Sequence, residues 1–172
     1  MSVREAINQP TAKSTGRLVI GLIISIIICF SAGGLGSLAT SSSITGWYVE
    51  INKPTWNPPN WIFGPVWSTL FLMISVSAWL VWKSSGFEKA KLAFGVYAFH
   101  LLLNALWSIV FFGMQQMGWA FVEIVALWIS IVATIVLFHR HSKLAAWLLI
   151  PYLLWVSFAS FLNYTIWQMN QA

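Results

Sequence analysis

Five long apolar stretches alternate with short polar ones along the chain, at residues 18–39, 60–82, 91–113, 118–138 and 144–167. A helix rises 1.5 Å per residue and needs about 20 apolar residues to cross the hydrocarbon core of a bilayer, and each stretch is of that order. The breaks are distinct. Thr40 to Gly46 is a Ser/Thr/Gly run that reads as a turn, and KSSGFEKAK (83–91) is a polar connector. GMQQMG (113–118) is a tight turn and HRHSK (139–143) a basic one. The pattern predicts an all-α integral membrane protein, a five-helix bundle over residues 18–170 behind a polar, disordered tail over residues 1–17. The first apolar run is too long for the core of a removable signal peptide. No internal repeat is evident, and the odd number of spans gives no support to an inverted-repeat transporter.

Composition strengthens this reading. Hydrophobic residues make up 59% of the 172 and charged residues only 8%, against about 25% charged in a soluble domain. Lys and Arg are distributed by side. Arg4, Lys13, Arg17, Lys83, Lys89, Lys91, Arg140 and Lys143 share one face of a five-span topology, and only Lys53 lies on the other. Basic residues concentrate in cytoplasmic loops, so the N-terminus is expected in the cytoplasm, with the 40–60 loop and the C-terminus across the membrane. The net charge of +5 is accounted for by these flanks and not by a nucleic-acid-binding stripe.

The segment WYVEINKPTWNPPNWIFGPVW (47–67) joins the first two spans. Pro54, Pro58, Pro59 and Pro65 fix φ and remove amide donors, and residues before proline are driven out of helix, so NPPN is extended and stiff. Pro65 is expected in the first turns of the second helix, where a missing N–H costs little. Trp47, Trp56 and Trp61 suit an interfacial aromatic belt. A belt needs no proline-stiffened scaffold, however, and a preorganised lid over a cavity explains both features.

Several polar residues lie at membrane depth, where they face a bundle interior or a cavity. His100, Asn104 and Ser108 recur on one face of the third span beside Trp107 and Phe111. Trp155, Ala159 and Asn163 form a face of the fifth span, where Pro151 frees carbonyl groups, and Trp67 and Phe71 form one in the second. Asn104 and Asn163 serve equally well as interhelical glue or as ligand contacts. His100 is read first as a hydrogen-bonded helix contact, with an axial haem ligand or proton relay as the alternative. Glu123 is the one carboxylate well inside a span, available as a relay, a ligand contact or a neutral acid. In SAGGLGS (31–37), Gly33 and Ser37 form a small-xxx-small pair suited to helix packing within one chain or between two.

Conventional catalytic chemistry finds little to work with. There is no Asp, four Glu and a single cysteine, Cys29. These counts exclude a Ser-His-Asp triad, a disulfide framework and a multi-thiolate metal site, and no metal centre is expected.

The stretches WYVEINKPTWNPPNWIFGPVWSTLF, NALWSIVFFG, VEIVALW and AAWLLIPYLLWVSFASFLNYTIWQMN together resemble the tryptophan-rich sensory protein (TspO) family. Its animal members are the mitochondrial translocator proteins, or peripheral-type benzodiazepine receptors. The resemblance covers nearly all of residues 18–170. It implies a five-helix, usually homodimeric bundle with a pocket beneath the first loop, and a tetrapyrrole ligand: protoporphyrin IX, haem or a bilin. By motif position it implies that Tyr48, Trp56, Pro58, Trp67, Asn104, Trp107, Ser108, Glu123, Trp155 and Ala159 bind that ligand. It also implies that Trp67 and Trp155 are the catalytic pair if the protein degrades porphyrin in light.

Binding in porphyrin homeostasis, stress sensing or regulation is the first reading, light-dependent degradation the second, and transport of porphyrin or lipid the third. The proposed sterol motif of animal members is absent, since no basic residue follows Tyr164 or closely follows Tyr152. Membrane lipid and a second copy of the chain are the expected partners, the latter through the glycine-rich face of the first span, and nucleic acid is not.

Overall fold

The computed structural model describes residues 14–171, the side chain of Ser42 aside. Five helices are long and apolar enough to cross a membrane: Thr15–Ser41, Asn60–Lys89, Lys91–Gly113, Met117–His139 and Lys143–Met169. No strand occurs among the described residues. In chain order α1 is Thr15–Ser43, α2 is the short loop helix Trp47–Glu50, and α3 is Asn60–Lys89. α4 is Lys91–Ser108 and runs into a π-helical turn, Ile109–Gly113; α5 is Met117–His139, and the fifth span divides into α6 (Lys143–Leu148) and α7 (Ile150–Met169). The protein is thus a five-helix membrane bundle. Its antiparallel spans bring Arg17, the Lys83–Lys91 segment and the 139–143 turn to one end and α2 to the other.

Local chemistry moves three boundaries. The run from Thr40, expected as a turn, stays helical to Ser43. Its hydroxyls bond back into their own helix, Thr40 Oγ1 to Gly36 O at 3.1 Å and Ser41 Oγ to Leu38 O at 3.2 Å, so the run exposes few bare donors to lipid. The connector expected from Lys83 is helical as well, and breaks at Gly86, where φ of 75° requires a residue without a Cβ. At the N-terminus α1 takes in Thr15, Gly16 and Arg17, while residues 1–13 of the expected tail lie outside the described ones.

Pro151 shapes the fifth span. Without its N–H the helix tightens at Leu149, whose amide turns to Ala146 O at 3.1 Å. Ala145 O loses its usual partner, and Ser77 Oγ on α3 donates to it at 2.7 Å. α3 accordingly packs closely on α6 but only sparsely on α7. The two helices separate towards the loop end.

Side-chain packing follows that separation. At the basic end Val81, Tyr97, His100, Leu127, Ile131, Phe138, Leu149 and Tyr152 are buried in one cluster. At the loop end a smaller cluster joins Tyr48, Phe111, Phe112, Ala120, Leu162 and Ile166. α1 is held between α3 and α4 by its glycines: a Cβ on Gly33 would lie 2.4 Å from the Phe71 ring, and one on Gly36 would lie 3.0 Å from Ser108 Oγ. Gly33 and Gly36 are thus used for packing within the chain, while Gly34 and Ser37 of the same stretch stay exposed.

Candidate functional site

Where α3 and α7 diverge, a cavity of about 470 Å³ opens at the loop end. Trp67, Phe63 and Phe71 of α3 line it, with Asn104, Trp107, Ser108 and Phe111 of the third span, and Trp155, Phe158, Ala159 and Asn163 of α7. α1 contributes Phe30, Gly33, Gly36 and Thr40, and the loop contributes Tyr48. No lining residue bears a formal charge. The site is an aromatic, neutral box with a few dipoles in its walls.

The rings are fixed by one another. Trp67 stacks on Phe71 with centroids 5.4 Å apart and meets Tyr152 edge-on at 6.2 Å. Trp107 stacks on Phe111 at 5.3 Å, and Trp155 packs against Phe63 at 6.0 Å and Phe158 at 5.5 Å. The π-helical turn inserts an extra residue after Ser108, which turns both Phe111 and Phe112 inward towards Tyr48.

The dipoles are set by hydrogen bonds. Trp107 Nε1 donates to Asn163 Oδ1 at 3.1 Å, and Asn163 Nδ2 donates to Met117 O at 2.9 Å, so Asn163 ties α4, α5 and α7 together. Asn104 Nδ2 donates to Tyr152 Oη at 3.0 Å, which orients the amide and leaves its Oδ1 without a partner among the described residues. Of the two asparagines read as glue or ligand contact, Asn163 is fully engaged and Asn104 keeps an acceptor at the cavity.

Tyr48 is the loop residue that lines the cavity. It is 3% exposed, its Oη donates to Asn57 Oδ1 at 2.9 Å, and burial pushes its phenol up to about 12. Lys53 Nζ folds back onto the C-terminal carbonyl groups of α2, those of Tyr48, Val49 and Ile51, and caps the short helix. The proline run beyond it is extended, with Pro59 at φ −55° and ψ 141°.

The structure thus brings Tyr48, Trp67, Asn104, Trp107, Ser108, Trp155 and Ala159 to one cavity and leaves three of the expected ligand residues out. Trp56 stacks on Phe161 of α7 at 5.3 Å and is 42% exposed, so it clamps the loop to the outside of the bundle. Pro58 belongs to the extended arm and lines nothing. Glu123 is not among the lining residues, and both its carboxyl oxygens are buried and unpartnered in the described structure. Glu123 shares the buried face of α5 with Ala120, Ile124 and Leu127, at i, i+3, i+4 and i+7 spacing.

His100 also lies off the cavity. Its Nδ1 is 3.4 Å from Thr134 Oγ1 and its ring sits against Tyr97 and Tyr152, a buried helix contact. Trp61 points outward at 74% exposure, as a belt residue does. Among the described residues no cluster of three His, Cys, Asp or Glu side chains could hold a metal ion.

The wall supplied by α1 was not foreseen. SAGGLGS signals close helix approach, but nothing in it says that the approach borders a void. Phe30, Phe63 and Phe158 are indistinguishable in sequence from the lipid-facing phenylalanines around them.

Residues 25–168 match the model of the TspO/MBR family. The tryptophan-rich protein TspO of Chlorobaculum tepidum is 45% identical over 154 residues, spanning 88% of this chain and 97% of that protein. The human translocator protein is 42% identical over 145 residues, 81% of this chain and 86% of its own. The tryptophan-rich sensory protein of Cereibacter sphaeroides is 39% identical over 124 residues, 72% and 77% of the two chains. With the match extending over all five spans, this chain belongs to the TspO/MBR family of membrane proteins.

Proposed function

We propose that the protein binds a tetrapyrrole (protoporphyrin IX, haem or a bilin) in the cavity beneath the first loop, in porphyrin homeostasis, stress sensing or regulation. The observation that carries this is the lining: three tryptophans and six phenylalanines around an uncharged space of about 470 Å³. That space is within the range of cofactor-sized pockets, and flat conjugated rings gain most from such walls. Haem held here would take no axial bond from His100, which is buried elsewhere. The tetrapyrrole's carboxylates cannot be desolvated without a partner, and the cavity offers no cation. They remain at the mouth, near the exposed Asn60 and Ser41.

Titration with protoporphyrin IX followed by tryptophan-fluorescence quenching tests the reading. Saturable quenching is expected, and its dimethyl ester should bind within about three-fold of the free acid because no wall residue pairs with a carboxylate. Absence of quenching by protoporphyrin IX, haem and biliverdin alike contradicts the reading.

A second reading, light-dependent porphyrin breakdown, is favoured by the position of Trp67 and Trp155 at the same cavity. An oxidisable indole in contact with a photoexcited macrocycle, with dioxygen as oxidant, is its chemical basis. Illumination of the complex in air should bleach the porphyrin, and Trp67→Phe with Trp155→Phe should abolish the bleaching. Unchanged bleaching in the double variant rules this reading out. The Lys/Arg distribution further supports a cytoplasmic N-terminus, with the cavity in the opposite half of the membrane.

A further inference from the structure

The cavity wall is not continuous. Gly34, Ser37 and Ser41 of α1 and Gly64 and Ser68 of α3 line the cavity and are also exposed on the outer surface of the bundle. A Cβ built on Gly34 or Gly64 meets no atom within 4 Å, whereas one on Gly33 collides with Phe71. The two helices pack from Gly21, against Trp82, to Gly33, against Phe71, and stand open at Gly34 and Gly64.

This seam lies within the first two spans, and a bilayer around these spans places acyl chains outside it. Its hydroxyls are already bonded within their own helices: Ser37 Oγ to Gly34 O at 2.8 Å, Ser41 Oγ to Leu38 O at 3.2 Å and Ser68 Oγ to Gly64 O at 2.9 Å. An apolar molecule crossing the seam therefore breaks no hydrogen bond and displaces no large side chain.

The loop above the cavity is the opposite case. Asn52 N donates to Asn170 Oδ1 at 3.0 Å, Asn170 Nδ2 returns to Asn52 O at 2.9 Å, and Asn52 Nδ2 reaches Met169 O at 3.4 Å. This reciprocal latch fixes the loop to the end of α7, and the Tyr48–Asn57 bond and the stacked Trp56 hold the rest of it. Lifting the loop breaks all of these at once.

We infer that the ligand passes into and out of the cavity laterally, from the hydrocarbon between α1 and α3, and not by lifting the loop. The ligand class rests on the tetrapyrrole reading, and the route rests on the open seam and the latched loop. Lateral passage admits molecules that partition into the bilayer and makes the lipid phase the reservoir that the site samples.

Stopped-flow quenching by protoporphyrin IX, with the full chain in lipid nanodiscs, separates the routes. Gly34→Leu with Gly64→Leu should slow association and dissociation together, each by about ten-fold or more. Loss of a binding contact would instead speed dissociation. Asn170→Ala, which removes the reciprocal Asn52–Asn170 bonds and weakens the latch, should leave both rates within about two-fold of wild type.

Faster exchange in Asn170→Ala with unaltered exchange in the leucine variant overturns the inference. If the leucine variant does not fold, the wild type still decides. At fixed total porphyrin, lateral passage makes the association rate follow the mole fraction in lipid, and a rate that follows the free aqueous concentration overturns the inference. Equilibrium quenching is read first, so its absence refutes the tetrapyrrole reading, whereas normal quenching with the wrong kinetics refutes only the route.

Discussion

At the basic end of the bundle Phe94, Tyr97, Phe138 and Tyr152 interlock around His100, whereas at the loop end Trp67, Trp107 and Trp155 stand around an open cavity. Both ends draw on the same residue types, aromatic rings with a few amides and hydroxyls. What differs is the helix geometry between them. α6 holds α3 close through Ser77, and past Pro151 the continuation α7 lets it go. A single proline and a single serine thus mark the change from a packed half to a hollow one. In a bilayer, where burial of apolar surface drives helices together only weakly, such contacts decide which half closes.

Substitution across this divide gives the largest contrast. Tyr152 is fully buried, and Tyr152→Ala should cost about 3–5 kcal/mol, read as a loss of thermal stability in detergent, because the packed end cannot collapse around the missing ring. Trp155→Ala removes a ring that already borders empty space, so its stability cost should stay below about 2 kcal/mol while porphyrin quenching weakens at least about ten-fold. Equal stability losses at the two sites would erase the distinction.

The glycines of α1 sharpen it further. Gly33→Leu pushes on Phe71 and should destabilise by about 1–3 kcal/mol without changing the mass of the solubilised particle, whereas Gly34→Leu, with open space before it, should leave stability nearly unaltered. A shift of the Gly33 variant towards a smaller particle would restore the dimer role expected of that face. Ser77→Ala leaves Ala145 O without its donor and should cost about 1–3 kcal/mol. The same substitution at the exposed Ser68 should be close to neutral.

The smallest effect is a titration. Tyr48 ionises near 12 in the closed loop and near 10 once exposed, so below pH 10 it contributes nothing to the pH dependence. As the pH rises from 10 to 12 the open or unfolded form gains by ionising, and the closed loop loses stability over that window. Phenolate absorbance followed against pH should show a phenol titrating near 12 that disappears in Tyr48→Phe.

Much of this was legible in the chain. Five apolar runs and the segregation of eight basic residues from Lys53 define the span count, since each signal fails if a span is added or removed. The faces Trp67/Phe71, His100/Asn104/Ser108 and Trp155/Ala159/Asn163 followed from helical spacing, and all of their residues except His100 line the cavity. Position in a motif carried less. Trp56 and Pro58 lie in the stiff loop, but stiffness does not tell which side of the loop meets the cavity. Glu123 lies on the buried face of its span but is not among the lining residues.

What the sequence withheld depends on helix tilt. The separation of α3 from α7 sets which phenylalanines border a void, and in the Ser/Thr run after Gly36 the hydroxyls of Ser37, Thr40 and Ser41 bond to carbonyls one turn back while Ser43 Oγ donates to Phe112 O.

Tryptophan-fluorescence quenching tests most directly whether the hollow half is a tetrapyrrole site. Quenching of tryptophan fluorescence by protoporphyrin IX should be saturable and at least about ten-fold weaker in a Trp67→Ala, Trp155→Ala variant that retains its helical circular dichroism. Equal, saturable quenching in that folded variant would place the ligand elsewhere on the bundle and contradict the account.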